Sequence, residues 1–354
     1  MKRFVSMKFA PIAGALAAGA LLVADAGNAQ SLGGFPIREP GAAKSSSSGS
    51  GDAAKKGVTY AKVDPAGLGT HKTITAALND IAEGGVIEVA HGEYSESLNL
   101  KKSVFIRGDR GPGRGVHIKA PMNEPCLAFN PENATAHALV SNVQFESKIN
   151  SGADACVDVR QGVFTLKESD VLGSGVRPAV KISGGMVFLD KNRISAGSEG
   201  IVVTQAHSMM HTVITDNKIL QNKVGVDIAS GSASDVLITG NEIFDNLDSG
   251  VKSSGYGSAK LIGNKIRNNK GSGVVLDKYA KLSLVRFNEI IQNSGDGVAI
   301  PFGVNGVIED NDIVGNDGLS IFIRDGLEPK ITNNTVKNNG GDNCSKRDQR
   351  KGRC

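Results

Sequence analysis

Ile214-Thr-Asp-Asn217-Lys-Ile219-Leu-Gln-Asn222-Lys-Val-Gly225-Val226 decides the fold, because the same pattern returns down the chain. Its first half is an aliphatic, two residues, an asparagine, one residue and Ile or Val. Copies stand at Leu189/Asn192/Ile194, Ile238/Asn241/Ile243, Leu261/Asn264/Ile266, Val285/Asn288/Ile290, Ile308/Asn311/Ile313 and Ile331/Asn334/Val336, with Leu166/Ser169/Val171 as a serine variant. From Ser169 onward the marker advances by 23, 25, 24, 23, 24, 23 and 23 residues. A second asparagine follows five residues later, at Asn222, Asn246, Asn269, Asn293, Asn316 and Asn339. Then comes glycine with an aliphatic: Gly200-Ile201, Gly225-Val226, Gly250-Val251, Gly273-Val274, Gly297-Val298 and Gly318-Leu319. A period this regular marks a solenoid.

The spacing within each copy excludes helical repeats. An amphipathic helix needs a 3.6-residue apolar period over ten or more residues, and here Gly and Asn break every such run. Two aliphatics five residues apart with Asn between them suit two short strands meeting at a bend. Asn tolerates the left-handed backbone of a sharp corner, and stacked Asn side chains can bond from coil to coil as a ladder. Gly supplies a further bend at no steric cost. Each coil would hold two or three short strands, each pairing in parallel with its counterpart one coil away, about 4.8 Å along the axis. The expected fold is all-β: a single-stranded right-handed parallel β-helix with a short N-terminal capping helix.

These repeats resemble the pectin-lyase-like superfamily of right-handed β-helix proteins, and in particular the short repeat of periplasmic NosD-type proteins. The likeness covers roughly residues 60 to 340. The opening, through Thr73-Ile74, Ala76-Ala77-Leu78, Val86-Ile-Glu-Val89, Gly92-Glu-Tyr94-Ser-Glu96 and Val104-Phe-Ile106, resembles the cap of pectin methylesterases. That resemblance implies a strand, a short helix near 73–82 over the open end, then the first coils. In it the Gly-x-Tyr-x-Glu element is a structural turn with a packed Tyr.

Composition bounds the rest. The 354 residues carry 40 Lys+Arg against 36 Asp+Glu, a net charge of +4, so a nucleic-acid binder of the basic-patch kind is excluded. Gly at 45 residues, with no Trp, fits many tight turns around small aliphatics. Residues 1–29 read as a signal peptide: Lys2, Arg3 and Lys8 precede an apolar run to Val23, and Gly27-Asn28-Ala29 supplies a cleavage site. No stretch is long and apolar enough for a membrane span. Gly, Pro and Ser mark 30–57 as a flexible linker; 58–110 holds the cap and first coils, 111–340 the β-helix, and 341–354 a basic tail. The location implied is periplasmic or secreted. Four cysteines suit an oxidising compartment. Pairing of Cys344 with Cys354 is the first choice, which leaves Cys126 to Cys156; metal binding is the weaker rival, since no ligand-type spacing is present.

Chemistry is harder to place. The Gln-rich motifs of pectin methylesterases and the Asp-Pro-His-Asp motif of mannuronan epimerases are absent, while Arg177-Pro178 resembles an element of pectate lyases. Carboxylates precede the Gly corner at Glu199, Asp296 and Asp317; on neighbouring coils such groups are close enough to hold a Ca2+ or act as an acid/base pair. Ordinary Asp-Gly turn chemistry is the commoner reason for them. Asp227, Lys252 and Asp277 sit on or beside the following strand, where the resemblance puts a substrate groove. His207 and His211 are the paired histidines, able in principle to abstract a sugar-ring proton; loop surface is the commoner reason. The candidate catalytic residues are therefore His207, His211, Arg177 and Lys252, and the candidate binding residues Asp227, Asp277, Asp296 and Asp317. No resident cofactor or metal is required. The function expected is binding of an acidic envelope or extracellular polysaccharide, with lyase or epimerase chemistry ahead of ester hydrolysis. The alternative is a non-catalytic structural protein of the envelope that holds a protein partner.

Overall fold

The computed structural model describes residues 57–110, 115–204, 211–229, 235–253, 258–277, 283–302, 306–324 and 327–341. The signal peptide, nearly all of the linker, His207 and the Cys344/Cys354 pair lie outside these residues. All described residues belong to one compact unit, 54–354.

The chain winds as a parallel β-solenoid with three sheets of twelve, eleven and ten strands. One coil shows the pattern. His211–Thr215 lies in the first sheet, Lys218–Leu220 in the second and Val224–Ile228 in the third. Each pairs in parallel with its equivalent on the next coil: Ile214 with Ile238, Ile219 with Ile243, Val226 with Val251. Inward positions stack into columns, of which Ile194, Ile219, Ile243, Ile266, Ile290 and Ile313 form the longest uniform one, all fully buried. Each such side chain contributes about 1.5–3 kcal/mol by leaving water.

Both asparagine columns are hydrogen-bonded ladders. Asn192, Asn217, Asn241, Asn264, Asn288 and Asn311 each donate Nδ2 to the Oδ1 of the next rung at 2.9–3.0 Å, the last of them to Asn334. The backbone N–H of each rung reaches the same oxygen, and Nδ2 also meets a carbonyl of the preceding coil, as Asn241 does Ile214 at 2.8 Å. The second column runs from Asn222 to Asn339 in the same way. With every proton and lone pair engaged, a buried amide costs nothing in lost solvation.

Two details differ from the expected corner chemistry. The left-handed residue is the one before each asparagine: Lys191, Asp216, Phe287 and Asp310 in one column, Gln221, Asp245, Asn268 and Gln292 in the other. The rung asparagine itself turns inward to build the ladder. The glycine column, moreover, answers to space rather than to φ. A Cβ on Gly225 would stand 2.4 Å from the Gly250 carbonyl oxygen and 2.7 Å from Ile243 Cγ2. In the last copy that place is taken by Ser320-Ile321, since Val298 pairs with Ile321; Gly318 stacks on Gly295 instead.

At the N-terminal end, helix α1 (Ile74–Asp80) buries Ile74, Ala77 and Leu78 against Val58–Val63, Ile81–Val89 and Leu98–Leu100. Thr73 caps it by accepting from Ala76 N–H at 3.2 Å, and Glu96 accepts from Ile74 and Thr75 N–H at 3.0 and 2.7 Å. Tyr94 is 3% exposed and donates to the Ala90 carbonyl at 2.8 Å. The Gly-Glu-Tyr-Ser-Glu element is not the expected turn: Gly92–Tyr94 is the first strand of the second sheet, paired with Val116–Ile118, with Tyr94 packed as expected and Glu96 beyond it clamping the helix. Cys126 and Cys156 are disulfide-bonded, joining neighbouring coils 30 residues apart.

Candidate functional site

The solenoid sorts the sequence-derived candidates onto three places. The corner between the second and third sheets holds Arg177, Glu199, Asp296 and Asp317. Arg177 is exposed, and Glu199 accepts from Ser198 Oγ at 2.7 Å. Asp296 accepts from Leu319 N–H at 2.7 Å and is half-buried; burial pushes its carboxyl above the usual carboxylate range, against the opposing pull of that bond. Asp296 is therefore level with Leu319 on the next coil rather than with Asp317, which is exposed and whose N–H meets the Asn293 carbonyl. The two carboxylates do not occupy equivalent positions. Among the described residues no group of three His, Cys, Asp or Glu is arranged to hold a metal ion.

The outer face of the third sheet holds Asp227 and Lys252. They are in register on adjacent coils, between Val202 and Val275, so opposite charges stand about 4.8 Å apart along the axis. Asp277 follows the strand Val274–Leu276, with its N–H on the Ser253 carbonyl at 2.8 Å.

His211 opens its first-sheet strand, across the third-to-first corner from these residues. Register puts Asp235 directly beside it on the next coil and Ser258 beside Asp235 on the one after. Asp235 is held by Lys260 Nζ at 3.0 Å and by Ser258 Oγ at 3.4 Å. Alongside runs the outward row Phe188, Val213, Leu237 and Lys260, half-buried and in register. A histidine, a carboxylate and an ammonium thus line one edge of a flat apolar strip, a set able to bind a charged sugar and to move a proton. Asp235, Ser258 and Lys260 were absent from the sequence-derived candidates. The signal for them was the repeat itself: His211, Asp235 and Ser258 each stand six residues before a rung asparagine.

The sequence matches the family described as the right-handed beta helix region over residues 156–282 and 199–349, which together span more than half of the chain. Comparison with curated proteins finds no match. Among solved structures, the A-module of a mannuronan C-5 epimerase from Azotobacter vinelandii is similar at TM-score 0.50 and 16% identity, covering 77% of this chain and 92% of that one. A periplasmic alginate epimerase double mutant is similar at 0.53 and 18%, over 79% and 69%. The Dettilon tailspike protein is similar at 0.55 and 14%, over 75% of this chain and 64% of the tailspike. At these identities the likeness is one of fold.

Proposed function

The chain belongs to the right-handed β-helix family, and on that footing we propose that it binds a linear acidic polysaccharide along the outer face of its first sheet, at the edge where His211–Thr215, Asp235–Thr239 and Ser258–Ile262 begin. The observation that carries this reading is the edge made by His211, Asp235 and Lys260, three unlike functional groups delivered by consecutive coils beside an apolar strip. A rise of about 4.8 Å per coil is comparable to the length of one sugar unit, so a glycan parallel to the axis presents one ring to each coil. Phe188, Val213 and Leu237 offer a floor for the apolar face of a ring, and Lys260 and Lys252 offer charge to uronate carboxylates. The epimerase names among the similar structures support an acidic sugar as ligand class.

The same edge is suited to chemistry at the carbon next to a uronate carboxylate. An ammonium beside the carboxylate makes the adjacent C–H more acidic, and a neutral imidazole takes that proton. The resulting carbanion either expels the neighbouring glycosidic oxygen, which leaves as a hydroxyl on taking the proton from the imidazolium and gives a carbon–carbon double bond, or takes a proton from water on its other face, the imidazolium returning its own proton to the hydroxide so formed. The signal-peptide reading of residues 1–29 and the Cys126–Cys156 bond support a periplasmic or secreted location.

The test is binding of alginate and pectate to the full chain and to His211→Ala and Lys260→Ala. Saturable binding weakened in both variants, with unchanged melting temperature, supports the reading, and a new double-bond absorbance lost in His211→Ala assigns a lyase. Binding that neither variant alters, or none at all, turns the assignment to the non-catalytic envelope role.

A further inference from the structure

The outer face of the second sheet carries a row of charges that the glycan reading does not use. Its strands Arg193–Ser195, Lys218–Leu220, Glu242–Phe244, Lys265–Arg267, Glu289–Ile291 and Asp312–Val314 lie on six consecutive coils. Each turns its middle isoleucine into the core, so its first and third residues face outward. The first residues form one row in unbroken register: Arg193, Lys218, Glu242, Lys265, Glu289 and Asp312, all exposed or half-buried.

Within one chain this order is a poor one. Arg193 and Lys218 stand side by side about 4.8 Å apart, and so do Glu289 and Asp312, which is destabilising at both ends of the row. Asp170 lies beyond Arg193 at one end and neutral Thr335 beyond Asp312 at the other. Nearer the middle, Lys265 pairs with Glu289 at 3.2 Å and Arg267 with Glu242 at 3.9 Å.

The row is nevertheless antisymmetric about its midpoint. Reversing it end for end exchanges Glu242 with Lys265, Lys218 with Glu289 and Arg193 with Asp312, a change of sign at every position. Two copies laid face to face and antiparallel, related by a two-fold axis along the strands between Glu242 and Lys265, therefore oppose unlike charges throughout. The third residues agree with this arrangement. It sets Leu220 against Ile291, Ser195 against Val314 and Phe244 against Arg267, whose guanidinium already lies 4.4 Å from the Phe244 ring centre of its own chain. At the flanking corners Lys191 meets Asp310, Asp216 meets Phe287 and Asp245 meets Asn268, so no like charges meet across these six coils.

We infer that this face of the second sheet binds a second copy of the chain, antiparallel and isologous. A partner for the row must carry the inverse order of charges, and the chain itself carries it. The like-charged neighbours at each end, unfavourable in one chain, then face two opposite charges of the other. Three residues across and about 24 Å from first coil to last, the face falls below the standard size of a stable interface, so the dimer is a reversible one. His211, Asp235 and Lys260 lie on another sheet, and the contact stands whether or not that edge binds sugar.

The test is sedimentation velocity of the full chain over a range of concentrations, at low salt and at about 1 M salt. The chain is expected to pass from monomer to dimer as concentration rises, and the dimer to dissociate in the high salt. Lys218→Glu and Glu289→Lys each set like charges against one another twice across the axis and should weaken association about tenfold or more. Both side chains are exposed, so both variants should melt with the parent. An equimolar mixture of the two variants restores every unlike pair and should associate as the parent does. A chain that stays monomeric at every concentration, a dimer indifferent to both substitutions, or a mixture no more associated than its components overturns the inference.

Discussion

Asn217 donates its Nδ2 proton to Oδ1 of Asn241 at 3.0 Å, and Asn241 passes the same bond to Asn264 at 3.0 Å. Asn241 is 1% exposed and its oxygen also takes the Asn217 backbone N–H at 2.9 Å. Asn241→Ala leaves two donors of Asn217 without that acceptor in a site with no access to water. The expected loss is about 3 kcal/mol of unfolding free energy, read by chemical denaturation. A loss below about 1 kcal/mol would mean that the ladder is not a principal support.

Gln221 and Gly250 should respond in opposite senses to the exchange of a side chain. Gln221 is exposed and holds φ at 54°, in the same column where Gly315 stands at 67°. Gln221→Gly removes left-handed strain of about 1–2 kcal/mol, less the added freedom of glycine in the unfolded chain, so melting should rise slightly. Gly250 has no need of positive φ, yet a Cβ there would lie 2.6 Å from Ile266 Cγ2 and 2.8 Å from the Gly273 carbonyl oxygen. Gly250→Ala should destabilise by about 2 kcal/mol or more through overpacking. Equal melting temperatures for the two variants would contradict this division of roles.

These positions show which parts of the molecule can be read from sequence. The rung asparagines declare themselves because they are identical, buried and strictly spaced. The left-handed corner cannot be read so simply, since Lys191, Gln221 and Phe287 have no shared chemistry; their conformation is imposed by the asparagine that follows. Gly318 misleads for a related reason. It precedes an aliphatic, as the column glycines do, but pairing puts Ser320 level with Gly297, and the repeat had to be aligned from the asparagines rather than from glycine. The edge of His211 with Asp235 was half legible. The histidine stands out by type, whereas its carboxylate neighbour lies 24 residues away and becomes a neighbour only through the register.

Asp296 gives a pH signature. Burial raises its pKa in the folded chain, so folded protein binds that proton more tightly than unfolded protein does. Its favourable contribution is complete below the ordinary aspartate range of about 3.9 and is lost as pH rises through the elevated value. Asp296→Asn keeps an oxygen for Leu319 N–H without the buried charge. The variant should therefore be more stable than the parent at neutral pH, with the difference shrinking toward about pH 3. A constant offset across that range, in denaturation curves taken at each pH, would show that desolvation of Asp296 is not the cause.

The length dependence of uronate binding tests the central claim most directly. Alginate and pectate oligomers of increasing size are titrated into the full chain by calorimetry. If rings lie one to a coil along the edge of His211, Asp235 and Lys260, affinity climbs with each added sugar until the oligomer spans those coils and then levels off, and the climb is flattened in Lys260→Ala. Affinity that does not change with length, or the absence of saturable binding at every length, contradicts it.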